Sequence, residues 1–340
     1  MLTSFHTAQA SGSDWQSIGY ALKAQLPQPC HGSLGLLWGT PPLGDMLPSL
    51  ALLLRSVTKT PRWSNILSHG LAGIPPERQG AVALILPLAM PECVVADVRG
   101  NPDQRVRLWQ QSDQHLDATA AFQQNPAPAF TLGAYSNLAT APHYQSTIDF
   151  SVDLGLICAV TQSCSPISAT HVITAARGHS LITLDGAPAQ EVLRRDIGGG
   201  LGSHSNDWQG RIFIGLPERG HDGDDFRSTS ITEFRPDGAI ITTESLAVGR
   251  RMLFTARSEA GAGHDLRQMV LRCLTRCPAP RAVLYFTTVA RRQLWPMLDD
   301  ECALIRPFIA PQIPLIGIEA TAVISGRRVH HDAGLFVLLP

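Results

Sequence analysis

The sequence lacks a strong net charge and a regular set of cysteines, and each absence excludes a class of protein. The formal net charge is −1 over 340 residues, so no general electrostatic field attracts nucleic acid or an anionic membrane surface. The seven cysteines are an odd number at scattered spacings, which argues against a disulfide framework. We therefore expect any partner to be recognised locally, with no nucleic acid among the partners.

Long apolar runs are also missing. The longest, residues 81–96, is interrupted by Pro87 and Pro91 and is shorter than the roughly 20 residues that a spanning helix needs. Residues 1–16 lack the basic and apolar regions of a signal peptide. These two features predict a cytoplasmic protein that has no membrane partner.

Local motifs for catalysis and metal binding are absent as well. The chain contains no G-x-S-x-G, H-E-x-x-H or G-x-x-x-x-G-K pattern. Cys273 and Cys277 would share a helical face, but no second ligand pair accompanies them. The acidic loop 220–225 lacks the distal glutamate of a calcium loop, and neighbours in the segment 330–332 would point to opposite faces of a strand. We predict no metal site and no enzyme.

Short strands and helices alternate along the whole chain. Helical spacing of apolar residues predicts five helices, at residues 15–26, 45–57, 188–195, 263–277 and 297–308. A capping box at Ser13 and Gln16 would begin the first helix. The clearest hairpin, residues 228–244, turns through Pro236-Asp237-Gly238. The pattern predicts a mixed α/β (α+β) fold: two lobes of largely antiparallel sheets with flanking helices.

Two segments are harder to assign. The apolar runs 81–88 and 92–98 read as two strands of a hairpin that turns near Met90. Residues 99–128 are polar and predict an irregular excursion with a weak helical signal.

One arrangement of residues occurs twice, and this suggests an internal duplication. Each copy has a helix, a pair of prolines and an apolar strand that ends in threonine, with Pro27, Pro29 and Thr40 in the first and Pro278, Pro280 and Thr288 in the second. A cleft between two such lobes would be the natural ligand site. The glycine run 198–207 is the predicted domain boundary.

Residues 162–193, QSCSPISATHVITAARGHSLITLDGAPAQEVL, resemble the FIST (F-box and intracellular signal transduction) family. The shared pattern is a small-residue-Cys-x-Pro loop, a strand, and a Leu-Asp-Gly-x-Pro-Ala turn into a helix. Further segments are similar to later blocks of that family in the same order, namely residues 130–139, 227–266, 283–292, 314–327 and 330–339. The resemblance implies an N-terminal FIST domain at 1–200 and a C-terminal FIST domain at 205–340.

The resemblance also implies a function. FIST proteins are regarded as sensory modules for small ligands, with amino acids suggested, and some bacterial members are haem proteins that respond to nitric oxide beside histidine kinases. In eukaryotic F-box proteins the fold serves protein recognition. This chain departs from the family pattern at residues 257–258, 287–291 and 321–323, where small or apolar groups stand in place of charged and sulfur groups. We expect a less polar ligand in consequence.

The leading hypothesis is a non-enzymatic ligand-binding sensor whose cleft is lined by Cys164, Arg257, Thr287, Arg291 and Glu319. The arginines would hold an anionic group, Thr287 would hydrogen-bond, and Glu319 would take a cation. Three alternatives stay open.

One alternative is a haem-based gas sensor with His143 or His171 as axial ligand. Another is a protein interaction scaffold with a degenerate pocket. The third is an enzyme that uses Cys164 as its nucleophile, which requires a lowered thiol pKa.

Overall fold

The computed structural model describes residues 5–30, 32–86, 93–95, 105–114, 130–139, 142–198, 208, 210–217 and 226–340. Within them the helices are α1 (Trp15–Gln25), α2 (Leu47–Thr58), α3 (Ala189–Ile197), α4 (Glu259–Arg276) and α5 (Leu298–Ile305). The pairing of strands is mostly antiparallel. The predicted mixed α+β class is therefore confirmed.

The strands of the first half are β1 (His6–Gly12), β2 (Leu34–Gly39), β3 (Trp63–Leu67), β4 (Gly70–Leu71), β5 (Gln79–Leu86), β6 (Cys93–Val95), β7 (Arg105–Asp113), β8 (Phe130–Asn137), β9 (Tyr144–Ser151) and β10 (Ile157–Gln162). Those that follow are β11 (Cys164–Pro166), β12 (His171–Arg177), β13 (Ser180–Leu184), β14 (Ala187–Pro188), β15 (Ile212–Pro217), β16 (Phe226–Phe234), β17 (Ile240–Thr242) and β18 (Arg251–Arg257). The last are β19 (Ala282–Thr288), β20 (Leu315–Ala320), β21 (Ala322–Ser325), β22 (Arg328–His330) and β23 (Ala333–Leu339).

The chain divides into two compact units, and one is inserted into the other. The split unit consists of Met1–Thr161 and Leu266–Pro340, and the inserted unit is Gln162–Asp265. This division differs from the predicted boundary between residues 200 and 205. The reason is that β10 and β4, from the first half of the chain, lie in one sheet with β23, β19 and β20 from the end. Residues 199–207 of the glycine run lie outside the described residues.

The split unit contains a topological repeat, as the duplicated sequence pattern predicted. Its first sheet has the order β1-β5-β2-β3, and its second sheet has the order β10-β23-β19-β20-β4. The central pairs also agree in direction, because β5–β2 and β23–β19 are antiparallel whereas β2–β3 and β19–β20 are parallel. We call β1 to β5 with α1 and α2 the first repeat. The second repeat is β10, β19, β20 and β23 with α4 and α5.

Each repeat packs helices on one face of its sheet and shares a core on the other. Leu22 of α1 and Leu50 of α2 pack with Ile85 of β5, and α4 and α5 pack on the second sheet in the same way. The opposite faces, with Trp38 from the first sheet and Phe286 from the second, belong to one large core that also includes residues of the third sheet, β22-β21-β8-β7-β9-β6. The two sheets therefore lie between outer layers of helix.

The starts of two helices show how local sequence sets helix boundaries. Pro48 lies in the first turn of α2, where its missing N–H is no loss. The N-cap of α1 is Asp14, which accepts a hydrogen bond from the Ser17 N–H at 2.7 Å, so the predicted capping box at Ser13 is displaced by one residue.

Strand pairing overturns two further expectations. The runs predicted as a hairpin form β5 and β6 in different sheets, because β5 pairs with β1 and β2 and β6 pairs with β9. The stretch predicted to be irregular contains β7, the centre of the third sheet. Its predicted helical segment lies outside the described residues.

The inserted unit contains a closed ring of six antiparallel strands in the order β18-β12-β13-β17-β16-β15, with β15 returning to β18. Its interior is apolar and includes Leu181, Ile214 and Phe254, with Val192 of α3 packed against it. The hairpin predicted through Pro236-Asp237-Gly238 is the β16–β17 connection, where Gly238 adopts φ of 87°.

Candidate functional site

The two repeats build the same turn at the carboxyl end of their parallel strands. In the first, Thr40 follows β2 and its Oγ1 accepts a hydrogen bond from the Gly80 N–H at 2.9 Å. In the second, Thr288 ends β19 and accepts from the Ala333 N–H at 3.2 Å. A 3-10 turn follows each threonine, at Pro41–Met46 and Val289–Gln293. Ligands of α/β sheets commonly bind outside this end of the strands.

A buried carboxylate organises the turn of the second repeat. Glu301 of α5 accepts hydrogen bonds from the Tyr285 hydroxyl at 2.6 Å, the Thr287 hydroxyl at 2.7 Å and Arg291 Nε at 2.7 Å. All four side chains are buried. We call this set the Glu301 network. Every donor is directed at a charged acceptor, which makes these hydrogen bonds stronger than neutral ones.

Burial and charge shift the pKa values within the Glu301 network. Burial raises the pKa of Tyr285 well above its ordinary value, and the negative charge of Glu301 raises it further. Burial by itself lowers the pKa of Arg291, but the nearby Tyr285 and Glu301 outweigh that effect and the pKa is raised. Arg291 therefore keeps its charge in the core, and the pair is an internal ion pair.

Two residues that were predicted to line the ligand cleft, Thr287 and Arg291, contact Glu301 in the core. Thr287 and Arg291 point into the Glu301 network, and Arg291 is only 1% exposed. Because its guanidinium binds Glu301, Arg291 is not placed to bind an anionic ligand. The sequence shows two adjacent arginines but does not show which one turns inward.

The neighbouring Arg292 lies at a pocket and forms an ion pair with the predicted residue Glu319. Arg292 Nε lies 2.6 Å from Glu319 Oε1, and Arg292 Nη2 pairs with Glu319 Oε2. The arginine side chain is 48% exposed and the glutamate only 5%. A hydrogen bond from Arg292 to Glu319 raises the arginine pKa. Glu319 is thus the buried partner of this ion pair, and Arg292 is the partner exposed to solvent.

The pocket is a small cleft between the two repeats, with a cavity volume of about 20 Å³, and it is partly open to solvent. Its walls come from β4 and the segment after it on one side, and from the 3-10 turn, α5 and β20 on the other. They are formed by Gly70, Leu71, Ile74, Pro76, Arg292, Pro296, Met297, Leu298, Asp299 and Glu319. Two carboxylates and one guanidinium give these walls a net charge of −1, and the remaining side chains are apolar.

Close backbone contacts fix the acidic groups of the pocket. A Cβ on Gly70 would lie 3.0 Å from Glu319 Oε2, so only glycine leaves the carboxylate its full space. Asp299 Oδ1 accepts a hydrogen bond from the Gly73 N–H at 2.6 Å. Glycine at position 70 thus lets the first repeat approach Glu319 of the second.

A histidine lies behind the pocket. The His69 N–H donates to the Glu319 carbonyl at 2.9 Å, and His69 Nε2 lies 2.9 Å from Thr321 Oγ1. That hydroxyl also accepts from the Asn137 N–H at 2.8 Å. Burial lowers the pKa of His69, an effect that the Glu319 charge opposes and the Arg292 charge reinforces. The ring is therefore mainly neutral at neutral pH.

The remaining two predicted residues are in the inserted unit. Cys164 of β11 and Arg257 of β18 are directly opposite each other in the antiparallel ladder. Cys164 is buried, and the Arg257 guanidinium lies 4.7 Å from the centroid of the Phe213 ring. The structure thus divides the five candidates into a pair in the inserted unit and a set of three in the split unit.

The two histidines considered for haem ligation both contact carboxylates. His171 Nδ1 lies 2.7 Å from Asp185 Oδ2, and its Nε2 lies 2.6 Å from Asp196 Oδ2. His143 Nδ1 lies 2.9 Å from Asp113 Oδ2. An iron bound at His171 would have to displace one of its carboxylates. In the described part of the chain, no group of three or more His, Cys, Asp or Glu residues is arranged to hold a metal ion.

Sequence reasoning missed several residues of the site. Arg292 carries no sequence signal that separates it from Arg291, and Gly70 lies in a strand too short to show a pattern. Glu301 carried a usable signal, because it shares the buried helical stripe of Cys302 and Ile305. A charged residue on a buried stripe indicates an internal partner.

The chain resembles two mycobacterial proteins and matches no model of a known protein family. The chain is similar to an uncharacterized protein of Mycobacterium bovis and one of Mycobacterium tuberculosis, at 31% identity over 188 residues, which is 51% of this chain and 47% of each relative. The chain therefore spans about half the length of these relatives. Among its described residues, no helix has the length and apolar character required to cross a membrane.

Proposed function

We propose that the protein is a non-enzymatic binder of a small ligand, of the sensory type, and that the ligand occupies the pocket between the two repeats. The observation that carries this proposal is the Arg292–Glu319 ion pair, whose acidic partner is nearly buried in a pocket with apolar walls. Pockets with apolar walls and a few fixed polar groups are typical of small-molecule sites. The lobes on either side of the ligand are the two repeats of the split unit.

The charge of the pocket indicates the class of ligand. Glu319 and Asp299 outnumber Arg292, so a cationic group is favoured over an anionic one. The apolar walls, including Leu71, Ile74 and Leu298, favour a short hydrocarbon part. We therefore propose a small organic cation such as an alkylammonium ion, which would share the Glu319 carboxylate with Arg292.

The biological setting that we propose rests on the resemblance of residues 162–193 to the FIST family. In that setting the protein is a cytoplasmic bacterial sensor that passes its signal to another protein, such as a histidine kinase. Binding at the pocket between the repeats would be the input to this signal.

A titration followed by NMR of labelled protein tests the proposal. The probes are n-propylammonium, guanidinium, propionate and n-propanol, applied to the wild type, to Glu319→Gln and to the control Glu233→Gln, whose exposed side chain lies in the inserted unit. We expect saturable changes with propylammonium in the wild type and the control, and at least a tenfold weaker response in Glu319→Gln. Preference for propionate would overturn the charge assignment, and no saturable change with any probe would overturn the proposed function.

A further inference from the structure

The first repeat also has a 3-10 turn after its threonine, but apolar residues stand in place of Arg291 and Glu301. Leu43 lies three residues after Thr40, as Arg291 lies three residues after Thr288, and both side chains are 1% exposed. Leu50 and Glu301 are each the fourth residue of their helices, and both are buried. Counted from the threonine and from the first residue of the helix, Leu43 and Leu50 of the first repeat thus correspond to Arg291 and Glu301 of the second.

This correspondence bears on why the ion pair is present. Removing two charges from water is costly, and a buried ion pair can often be replaced by apolar residues of similar volume without loss of stability. The first repeat is an example within the same chain, since Leu43 and Leu50 lie in its core. A turn of this kind consequently does not need Arg291 and Glu301 in order to fold.

The Glu301 network joins two walls of the pocket. Arg291 immediately precedes Arg292, and Glu301 follows Leu298 and Asp299 in α5; Arg292, Leu298 and Asp299 all line the pocket. The Arg291–Glu301 hydrogen bond ties the 3-10 turn to the helix at one defined distance, 2.7 Å. A planar guanidinium held by a carboxylate restricts orientation as well as distance, whereas an apolar contact between leucines has no preferred direction.

We propose that the Glu301 network is a positioning device for the pocket. Glu301, acting through Arg291, holds the 3-10 turn so that Arg292 meets Glu319 and the two together present a fixed ion pair to the ligand. This inference rests on the proposed function for its purpose, but the geometry it describes can be tested without any ligand.

The test is the double substitution Arg291→Leu with Glu301→Leu, which copies Leu43 and Leu50 of the first repeat. The side-chain Nε–H signal of Arg292 is followed by ¹⁵N NMR, since an N–H held by a carboxylate exchanges slowly with water. The control is Arg107→Leu with Asp149→Leu, which removes another ion pair of the split unit, in the third sheet. We expect the double variant to fold and the Arg292 signal to exchange at least tenfold faster, with the control unchanged.

Affinity for n-propylammonium is measured on the same samples, and we expect at least a tenfold loss in the double variant. An unchanged Arg292 signal overturns the inference, and so does a double variant that does not fold, because the network would then be structural. If the wild type does not bind propylammonium, the proposed function fails while the exchange measurement still decides the inference.

A single substitution with a smaller expected effect tests the same positioning role. Thr287→Val removes one hydroxyl donor to Glu301 at nearly constant volume. We expect exchange of the Arg292 Nε–H to rise by a smaller factor than in the double variant. An effect equal to that of the control pair would count against a positioning role.

Discussion

The two repeats of the split unit share strand order, strand direction and a threonine-capped turn, yet they use these features differently. The first repeat fills the space beside its turn with Leu43 and Leu67, and Gly39 allows both to pack closely. At the corresponding positions the second repeat has Arg291, Glu319 and Thr287. The same arrangement of strands and turn therefore packs as apolar core in the first repeat and borders a polar pocket in the second.

A second difference concerns access. Gly44 lies four residues after Thr40, as Arg292 lies four residues after Thr288. The Gly44 carbonyl accepts a hydrogen bond from the Tyr144 hydroxyl at 3.0 Å, and Tyr144 of the third sheet packs against the cores of the split unit. The first repeat is thus covered at the point where the second presents Arg292 to the pocket. The comparison shows that the first repeat builds its turn with apolar residues where the second repeat has a buried ion pair.

The largest effect should come from breaking the Glu301 network on one side only. Glu301→Leu leaves the Arg291 charge buried without its carboxylate, and we expect a loss of about 3 to 5 kcal/mol in the free energy of unfolding. Urea unfolding measures the change. The exposed-site control Glu233→Leu should stay within about 0.5 kcal/mol of the wild type. A loss below 1 kcal/mol would mean that water reaches Arg291 and that the Glu301 network is not shielded from solvent.

The next effect tests how tightly the first repeat is packed. A Cβ on Gly39 would lie 2.7 Å from Leu47 Cδ1 and 3.2 Å from Leu43 Cδ1, so Gly39→Ala should cost about 1 to 3 kcal/mol through overpacking. Denaturant unfolding gives the value. A neutral or stabilising result would show that the leucines can move aside, and that the first repeat is not closely packed around Gly39.

A smaller effect is expected where the first repeat is covered. Tyr144→Phe removes the hydrogen bond to the Gly44 carbonyl and should lower the free energy of unfolding by about 0.5 to 1.5 kcal/mol. The thermal midpoint of unfolding is a suitable measure. Binding of n-propylammonium should not change, and a weakened affinity would indicate that Tyr144 belongs to the ligand site.

The smallest expected effect is on the pH dependence of the free energy of unfolding. His69 and Thr321 occupy corresponding positions in the two repeats. Each lies two residues after the strand partner of an equivalent residue, because Leu67 pairs with Gly39 and Glu319 pairs with Thr287. The side chains of His69 and Thr321 are in hydrogen-bonding contact. Burial lowers the pKa of His69, so the unfolded chain, with a His pKa near 6.5, binds the proton more tightly. The stability that neutral His69 contributes is therefore present above about pH 6.5 and is lost as the pH falls through the folded-state pKa.

Unfolding free energies at pH 7.5 and 5.5 check this dependence. We expect the wild type to lose more stability between the two pH values than His69→Gln does, whereas a variant of the exposed His331, His331→Gln, should behave as the wild type. Equal losses in wild type and His69→Gln would show that His69 titrates alike in the folded and unfolded chain.

Local patterns in the sequence predicted most of the elements because their signals are local. The apolar spacing of residues 45–57 indicated α2, the Pro236-Asp237-Gly238 turn indicated a hairpin, and the threonines at 40 and 288 indicated the repeat. Partners across sheets are set by contacts far apart in the chain. For that reason β7 and the separation of β5 from β6 were not foreseen, and neither was the domain division.

The site was predicted only in part for the same reason. Glu319 was identified, and the structure places it at a pocket. Arg291 and Thr287 were predicted to line the ligand cleft, but the sequence does not show that Glu301 binds both. The difference between Arg291 and Arg292 is one of side-chain direction, which depends on the 3-10 turn and on the helix that packs over it.

The most direct test of the central claim is the free energy of unfolding of the protein in which Arg291 and Glu301 are both replaced by leucine, as in the first repeat. If the polar groups of the second repeat serve function and are not needed by the fold, the double variant should be within about 1 kcal/mol of the wild type, or more stable by up to about 4 kcal/mol. A loss of about 3 kcal/mol or more, equal to that of Glu301→Leu alone, would contradict the account, because the second repeat would then depend on its charges in order to fold.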